Sequence, residues 1–380
     1  MKKFLALVLA MVLCLALVAC GAKEDKAESN EIVIGCLQDI TGPTSGLGIS
    51  VQTGAQAAVD AINANGGVNG KTIVMKMYDT KGDVTEAVNS YITAVTVDKV
   101  SVIIGPPVAN IANAIKETSE QYDVPVVGLA MDPACQLKAD GTPYKNMFAL
   151  QPNATSQGMI MASFAVKNNL STFGVLYNQE NAYSVSLLAP FTDTLASKGI
   201  TVDPALIVPY GAADTDYKTL LQPIVSANVD AIYVPNYTQQ LVAIATALNE
   251  LGYEGKIIAG LDAAPAFNSQ YGGDCSNIYY INNIDTTDAD IAAQIAEISD
   301  KVGAPNKYFL GYDMVGAVAQ CMTKVGTEPA ALHDALENLV YDGLTGTITI
   351  DPATHMTAGM SMFMFTYDVQ EPVMLEQFAG

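Results

Sequence analysis

Short apolar runs and longer stretches of helical spacing alternate along most of this chain. Residues 32–37 form an apolar run bounded by polar residues, which is typical of a strand buried on both faces. A loop at 38–48 follows, and apolar residues then recur at helical spacing until the glycine pair at 66–67. This strand–loop–helix order predicts the first βα unit of a parallel sheet. Ligands of such sheets bind beyond the carboxyl ends of the strands, so the loop at 38–48 is a candidate ligand-binding loop.

The same alternation continues to about residue 260. Further strands are predicted at 71–78, 101–104, 124–127, 172–177, 201–208, 231–234 and 256–259. The helices between them are predicted at 84–97, 109–121, 184–197, 217–227 and 240–251. Beyond residue 273 the pattern predicts a strand at 278–281, helices at 290–302, 313–324 and 329–339, and two hairpin-like strands at 347–350 and 362–367. We therefore expect an α/β fold with parallel sheets and right-handed crossovers.

The amino terminus has the layout of an export signal. Two lysines precede an apolar run of residues 4–19, which is short for a bilayer span of about 20 residues but typical of a secretory signal. The run ends in LVAC, which resembles the lipobox of bacterial lipoproteins, and this resemblance implies lipidation of Cys20. An ordinary signal peptide or a membrane anchor is the alternative. We predict a signal peptide at 1–19, a polar tether at 20–30 and a lipid-anchored protein outside the cytoplasm.

The charged residues of the chain limit the kinds of molecule that it can bind. The formal charge of −21 becomes −23 when the two lysines of the signal are removed, which argues against nucleic acid as a partner. All 18 basic residues are lysine, so no guanidinium can bind a ligand carboxylate or phosphate. Backbone N–H groups, hydroxyls or lysine must bind any anion. The remaining cysteines have no close pair and predict buried free thiols, with one disulfide left open, at Cys36, Cys135, Cys275 and Cys321.

Several sequence blocks resemble the extracellular solute-binding proteins of branched-chain amino acid and amide uptake systems. The blocks are TGPTSGLG at 41–48, GAQAAVDAINANGGVNGK at 54–71, VIIGPP at 102–107, VPVVGLAMDP at 124–133 and GLTGTITID at 343–351. The resemblance implies a type I periplasmic binding protein with two Rossmann-like lobes, parallel sheets and a hinge of three chain crossings. It also implies a monomer without enzymatic activity or a cofactor, which delivers an amino acid-like solute to the permease and ATPase subunits of an ABC importer.

The resemblance also implies lobe boundaries and ligand contacts. Crossings near Gln151, Ile281 and Gly346 divide the chain into an N-terminal lobe of residues 31–150 plus 282–345 and a C-terminal lobe of residues 151–281 plus 346–380. Implied contacts in the first lobe are Leu47, Ala109, Asn110, Ala130 and Asp132. Those in the second lobe are Tyr183, Tyr237 and Asp262.

The chemistry of the second-lobe residues suits an amino acid, although each has a structural alternative. The carboxylate of Asp262 follows the predicted strand at 256–259 and can pair with a ligand ammonium. It can equally be a helix N-cap before Pro265. Tyr183 and Tyr237 each offer an apolar face and a polar tip, or they serve only in packing.

Two departures from the family pattern leave the ligand's charge open. The family usually has serine and threonine where this chain has Ala109 and Asp132. A ligand carboxylate must then be bound by backbone N–H groups with Thr41, Ser45 or Asn110, or the ligand has no carboxylate. Three aspartates at strand ends (Asp39, Asp132 and Asp262) also allow a neutral or cationic solute. Alternatively, Asp132 caps the turn before Pro133 and faces away from the ligand.

Other chemistry is not indicated by the sequence. His333 and His355 occur in unrelated contexts, so we predict surface positions for both and no metal site. No GxSxG motif occurs, which disfavours a hydrolase. The leading hypothesis is a solute receptor of an importer, and the alternative from another class is a ligand-sensing module of the same fold.

Overall fold

The computed structural model describes residues 30–263 and 266–378, with the side chains of Asp262 and Ala266 excepted. Within these residues the chain forms two α/β lobes, each built around one mostly parallel sheet, which confirms the predicted fold class. The predicted signal peptide, the lipidation site Cys20 and nearly all of the tether lie outside the described residues. Among the described helices, none combines the length and apolarity that crossing a bilayer requires.

Fifteen strands occur in the described residues. They are β1 (Glu31–Gln38), β2 (Thr72–Asp79), β3 (Ile103–Ile104), β4 (Val126–Gly128), β5 (Met147–Ala149), β6 (Phe173–Asn178), β7 (Ile207–Tyr210), β8 (Ala231–Val234), β9 (Lys256–Ala259), β10 (Ile278–Asn282), β11 (Val340–Gly343), β12 (Gly346–Asp351), β13 (Met356–Ala358), β14 (Met362–Asp368) and β15 (Glu371–Phe378).

Eleven α-helices connect these strands within the described part of the chain. They are α1 (Ser45–Ala64), α2 (Val84–Thr96), α3 (Ala109–Ser119), α4 (Ala154–Lys167), α5 (Ala182–Ser197), α6 (Tyr217–Ser226), α7 (Thr238–Glu250), α8 (Ala266–Tyr271), α9 (Ala289–Ile298), α10 (Pro305–Val325) and α11 (Pro329–Glu337). Short 3-10 turns lie at Pro133–Cys135, Pro204–Leu206 and Leu261–Ala263.

The two sheets have related topologies. The first has the order β11-β12-β13-β5-β4-β3-β1-β2, and the second has the order β15-β14-β10-β9-β8-β6-β7. In the first sheet, the neighbouring strands β1, β3, β4, β5 and β13 run parallel to one another. In the second sheet, the neighbouring strands β10, β9, β8, β6 and β7 also run parallel. Antiparallel strands occur at one edge of each sheet. Parallel strands align their carboxyl ends, so each lobe gathers its βα loops at one edge.

The chain passes between the sheets three times. The first passage lies between β5 and α4, because α4 packs on α5 of the second lobe. The second lies between β10 and α10, and the third between β13 and β14. The third differs from the predicted crossing near Gly346, because β12 and β13 are still hydrogen-bonded within the first sheet. The predicted hairpin-like strands therefore belong to different sheets.

A buried lysine fixes two of these passages to each other. Lys307 near the start of α10 is 2% exposed, and its ammonium donates to the side-chain oxygen of Gln151 at 3.0 Å. Gln151 lies in the first passage, and its amide also donates to the carbonyl of Leu129. A buried ammonium is costly unless hydrogen-bonded, so this contact strongly favours one arrangement of the passages.

Some elements differ from the sequence-based expectations. The strand predicted at 201–208 begins only at Ile207, since Asp203 caps a 3-10 turn that contains Pro204. Helix α4 was not predicted. Its buried residues are mostly small, and Gly158 packs against Pro190 of α5. Strands β5, β11, β13 and β15 and the short helix α8 were also not predicted.

The four described cysteines are buried free thiols, as the sequence predicts. Burial raises the pKa of Cys36 to about 12, and that of Cys275 and Cys321 to about 11 each. Burial also raises the pKa of Cys135 well above its usual value. All four therefore stay protonated near neutral pH, and thiols in that form are poor nucleophiles.

The predicted surface positions of the two histidines are wrong. His333 is 8% exposed and His355 is 1% exposed, and both lie in the first lobe. Their rings pack around the buried ring of Phe148 in β5, with His355 stacked on it at a centroid distance of 4.4 Å. The fold thus buries two imidazoles that sequence context had assigned to solvent.

Helices α1 and α10 pack backbone to backbone through two glycines. A Cβ added to Gly54 would lie 1.9 Å from the carbonyl oxygen of Tyr308, and one added to Gly311 would lie 2.3 Å from that of Val51. We expect Gly54→Ala to lower the free energy of unfolding by about 1–3 kcal/mol, because the helices must separate. Urea denaturation measures this loss.

Gly46→Ala is the matched control, because it lies in the same helix and no atom approaches the added Cβ within 4 Å. Equal stabilities of the two variants would contradict the close packing of these helices.

Candidate ligand cleft

A cleft of about 440 Å³ lies between the two lobes at the carboxyl ends of the parallel strands. Both lobes contribute to its walls, and the volume suits a small solute. The first lobe contributes Pro43, Thr44, Gly46, Leu47, Gly82, Val108, Asn110 and Ile111, followed along the chain by Gly303 and Ala304. The second lobe contributes Asn178, Glu180, Asn181, Ala212, Tyr237, Thr238, Gln239, Gln240 and Gln270.

The amino-terminal ends of five helices reach this cleft. Helices α1, α3 and α10 approach from the first lobe, and α5 and α7 approach from the second. The first N–H groups of a helix have no partner within the helix, and the helix dipole makes that end positive. These ends give the cleft a positive potential in a chain that has no arginine. Some of their N–H groups already donate within the protein, as Ser45 does to the carbonyl of Gly42 and Ala182 to the side chain of Asn110.

Asp39 positions the loop between β1 and α1. The carboxylate is fully buried and accepts hydrogen bonds from the N–H groups of Gly42 at 2.6 Å and Thr44 at 2.8 Å. It also accepts from the Thr44 hydroxyl at 2.6 Å. Asp39 thus stabilises the loop that leads into α1, where Leu47 lies, and its oxygens point at the protein's own donors.

Asn110 connects the lobes at the rim of the cleft. Its side-chain oxygen accepts from the N–H of Ala182 at 2.9 Å, and its amide donates to the carbonyl of Glu180 at 3.3 Å. Asn110 is the second residue of α3, and Ala182 is the first residue of α5. The structure therefore represents a state in which the two lobes touch across the cleft.

Two tyrosines form the wall of the second lobe. Tyr237 lines the cleft, and its ring stacks on that of Tyr183 with a centroid distance of 5.2 Å and an interplanar angle of 10°. Tyr183 is 1% exposed, and a Cβ added to Gly260 would lie 2.2 Å from its hydroxyl. The inner ring supports the outer one, and its hydroxyl reaches the backbone just after β9.

Three of the implied contact residues line the cleft: Leu47, Asn110 and Tyr237. Tyr183 lies directly behind Tyr237. Ala109 and Ala130 are 1% and 3% exposed and pack into the core of the first lobe, where the carbonyl of Ala109 accepts from the Cys135 thiol at 3.5 Å.

The two implied aspartates differ in position. Asp132 caps the 3-10 turn at Pro133–Cys135 by accepting from the N–H of Ala134, and it accepts from the amide of Asn113 at 3.2 Å. It is absent from the cleft lining, so its contacts fit the capping interpretation. The backbone of Asp262 lies in the 3-10 turn directly after β9, and its side chain lies outside the described residues.

Glu180 is a charged residue of the cleft that the sequence analysis did not identify. It follows β6 in the sequence NQEN at 178–181, and its carboxylate accepts from the N–H of Ala212 at 2.8 Å. Among the described side chains of the lining it is the one charged group, and none is cationic. The position of this polar run after a strand was the signal that could have identified Glu180.

Thr41 is one of the residues that the sequence offers as a donor to a ligand carboxylate. In the structure its hydroxyl donates to the carboxylate of Asp79 instead.

Related sequences cover large parts of the chain. The Leu/Ile/Val-binding protein BraC3 of Rhizobium johnstonii is 28% identical over 231 residues, which are 60% of this chain and 61% of that protein. The chain thus spans less than two thirds of that relative. The Leu/Ile/Val-binding protein homolog 3 of Brucella melitensis is 24% identical over 338 residues, with 87% of this chain and 88% of that protein covered.

Solved structures share the fold. The leucine-binding protein LivK of Thermotoga maritima has a TM-score of 0.80 at 24% identity and covers 91% of this chain and 98% of its own. LivJ of Streptococcus pneumoniae, in complex with isoleucine, has a TM-score of 0.79 at 24% identity, covering 92% and 99%. A solute-binding protein of Rhodopseudomonas palustris, in complex with 3,4-dihydroxybenzoic acid, has a TM-score of 0.78 at 18% identity, covering 92% and 98%.

Two α/β lobes with a cleft of about 440 Å³ between their strand tips form an architecture that can enclose a small solute. A family model described as periplasmic binding protein matches residues 31–371. The chain therefore belongs to the periplasmic binding protein family. The resemblance stated from the sequence blocks is confirmed.

We expect Asn110→Ala to shift the lobes toward an open arrangement, because the substitution removes both hydrogen bonds across the rim. Two solvent-accessible bonds are worth about 1 kcal/mol together, so the closed fraction relative to the open one falls by roughly fivefold. Small-angle X-ray scattering without added solute measures the resulting increase in radius of gyration.

Asn113→Ala is the matched control in the same helix, because the bonds of the Asn113 side chain to described residues, Asp132 and Lys116, lie within its own lobe. An unchanged radius for Asn110→Ala, or an equal increase in both variants, would refute the role of the rim contact.

Proposed function

We propose that this protein is the lipid-anchored, substrate-binding component of an ABC importer, which captures an amino acid-like solute outside the cytoplasm. The observation that carries the proposal is the cleft of about 440 Å³ between two lobes, with helix amino termini from both. The protein binds the solute and performs no chemistry on it. A solute that touches both walls has higher affinity for the closed state, so binding favours closure.

The export signal supports the proposed location. Residues 1–20 combine two lysines, an apolar run and a lipobox-like LVAC, which fits a family of extracytoplasmic binding proteins. A permease that contacts both lobes would distinguish the closed form from the open one. Transport would then follow closure of the lobes.

The walls of the cleft suit the two ends of an amino acid differently. The amino-terminal turns of α1 and α3 favour a carboxylate through backbone N–H groups, since no described lining side chain is cationic. In the second lobe, the Glu180 carboxylate lines the cleft, and the backbone of Asp262 lies in the turn after β9. Acidic residues at these two positions favour a ligand ammonium. Leu47, Ile111 and Tyr237 supply apolar surface for a side chain. A neutral, branched-chain amino acid or a related amide fits these three surfaces.

Two alternatives stay open. A neutral or cationic solute without a carboxylate would use Glu180 and the many amide side chains of the cleft. A ligand-sensing module of the same fold would bind a similar solute and signal instead of delivering it. Uptake of labelled solute by cells that lack this protein separates transport from sensing, because a sensor leaves the uptake step intact.

The solute class is tested by calorimetry on the purified protein. Titrations with leucine, isoleucine, leucinamide, isobutylamine and 3,4-dihydroxybenzoate sample each charge pattern. We expect the amino acids to bind most tightly and the amine and the aromatic acid to bind weakly. Tight binding of the amine alone would favour the alternative without a carboxylate, and no binding of any kind would reject the proposal.

We predict that Asp262→Ala weakens leucine binding by about tenfold or more, because a charged hydrogen bond to the ammonium is lost. The matched ligand is 4-methylpentanoate, which has the same side chain and carboxylate but no ammonium. The substitution should change its affinity far less. Calorimetry with both ligands measures the difference.

Asp132→Ala is the control variant, because that carboxylate caps a turn outside the cleft lining. An equal loss for both ligands in Asp262→Ala would exclude an ammonium contact by Asp262.

A further inference from the structure

The two histidines lie together with a carboxylate in the first lobe, among residues that do not line the cleft. His333 and Glu337 are four residues apart on α11, which places them on one face of the helix. His355 directly precedes β13 and approaches from the other side. One ligand atom from each of the three residues lies within 4.8 Å of the other two. We call this group the His333–Glu337–His355 cluster.

The hydrogen bonds of His355 fix which ring nitrogen carries its proton. Nδ1 lies 3.0 Å from the carbonyl oxygen of Tyr144, and a carbonyl oxygen can only accept. In a neutral ring Nε2 is then an acceptor, and it lies 3.1 Å from Oε1 of Glu337, which is also an acceptor. Two acceptors at this distance repel each other unless a cation lies between them.

His333 repeats this arrangement. Its Nδ1 lies 3.3 Å from a carboxylate oxygen of Asp334, which leaves Nε2 as an acceptor. That Nε2 is buried without a hydrogen-bond partner in the described part of the chain, and it lies 3.8 Å from the same Oε1 of Glu337. The His333 side chain is 10% exposed. Three acceptor atoms thus converge, and one of them is an imidazole nitrogen aimed into the cluster.

We propose that the His333–Glu337–His355 cluster is a binding site for a divalent transition-metal ion of the zinc type. A proton between His355 and Glu337 would satisfy one pair and leave Nε2 of His333 without a partner. A single metal ion satisfies all three atoms, and imidazole with carboxylate is a common zinc ligand set. Tetrahedral zinc places its ligand atoms about 3.3 Å apart, close to the separations of 3.1 Å and 3.8 Å.

The surroundings of the cluster are those of a supported metal site. Metal-binding imidazoles usually donate their other nitrogen to a carbonyl or carboxylate, as Tyr144 and Asp334 allow here. Phe148 holds both rings, stacked on His355 and edge-on to His333 at 5.5 Å.

The Glu337 side chain, 30% exposed, gives the ion a path to solvent and leaves a fourth ligand position for water. The bound ion would join α11 to the segment that leads into β13, just before the third passage between the lobes. Metal binding is therefore expected to stabilise the first lobe at that passage.

Calorimetric titration of zinc chloride into the chelator-treated protein tests the site. We expect saturable binding of one zinc ion per chain and an increase in melting temperature. Cobalt in place of zinc should give the visible absorption of a four-coordinate site with nitrogen and oxygen ligands. Wild-type protein that shows no saturable binding of one ion would overturn the proposal.

Two variants identify the ligands. Glu337→Gln and His355→Asn should each weaken zinc binding by at least about tenfold. Residues that only orient a metal ligand already contribute about tenfold or more to metal affinity, so the loss of a ligand should cost at least as much. Asparagine suits position 355, where φ is 56°. Circular dichroism establishes that each variant folds, and Glu337, which is partly exposed, tolerates an isosteric change.

Glu328→Gln is the matched control, because it makes the same change at the exposed N-cap of the same helix. Wild-type zinc affinity in Glu337→Gln, or an equal loss in Glu328→Gln, would assign the binding to the acidic surface and overturn the site.

Discussion

The arrangement of parallel strands is the constraint on which the rest of this molecule depends. Right-handed crossovers place the amino terminus of each following helix at the carboxyl edge of its sheet. Because the two sheets present these edges to each other, five helices bring their positive ends to one cleft. In a chain without arginine, these helix ends are the source of positive potential at the cleft. Asp39 stabilises the loop before α1 by accepting hydrogen bonds from Gly42 and Thr44.

One side chain at the rim of the cleft makes part of the contact between the lobes. Asn110 supplies two hydrogen bonds at the rim, which together are worth about 1 kcal/mol. The buried hydrogen bond from Lys307 to Gln151 joins two of the three chain passages between the lobes and stabilises their arrangement. A ligand shifts such an equilibrium only by its difference in affinity for the two states. The proposed function needs this combination of ordered passages and a marginal rim contact.

Most of the α/β alternation could be predicted from the sequence, because the buried strands are rich in β-branched residues and the helices that follow them have an apolar face. It failed where tertiary contacts decide the structure. Helix α4 packs small residues against Pro190 and so lacks a broad apolar stripe, while β12 and β14 look like one hairpin but pair in different sheets. At the cleft, the family resemblance implied Asn110 and Tyr237 as contacts, and both line it. It could not show that Ala109 faces the core. The histidine cluster depends on a fold contact between α11 and the segment before β13, which no local pattern encodes.

The four buried cysteines have a consequence at the extracytoplasmic location that this family implies. A chain translocated in an unfolded form exposes every sulfhydryl to oxidants and to other thiols, whereas the folded chain withdraws Cys36, Cys135, Cys275 and Cys321 from both. Resistance to mispairing is therefore a property of the native state alone. A chain that is exported before it folds would have none of this protection until its core has formed.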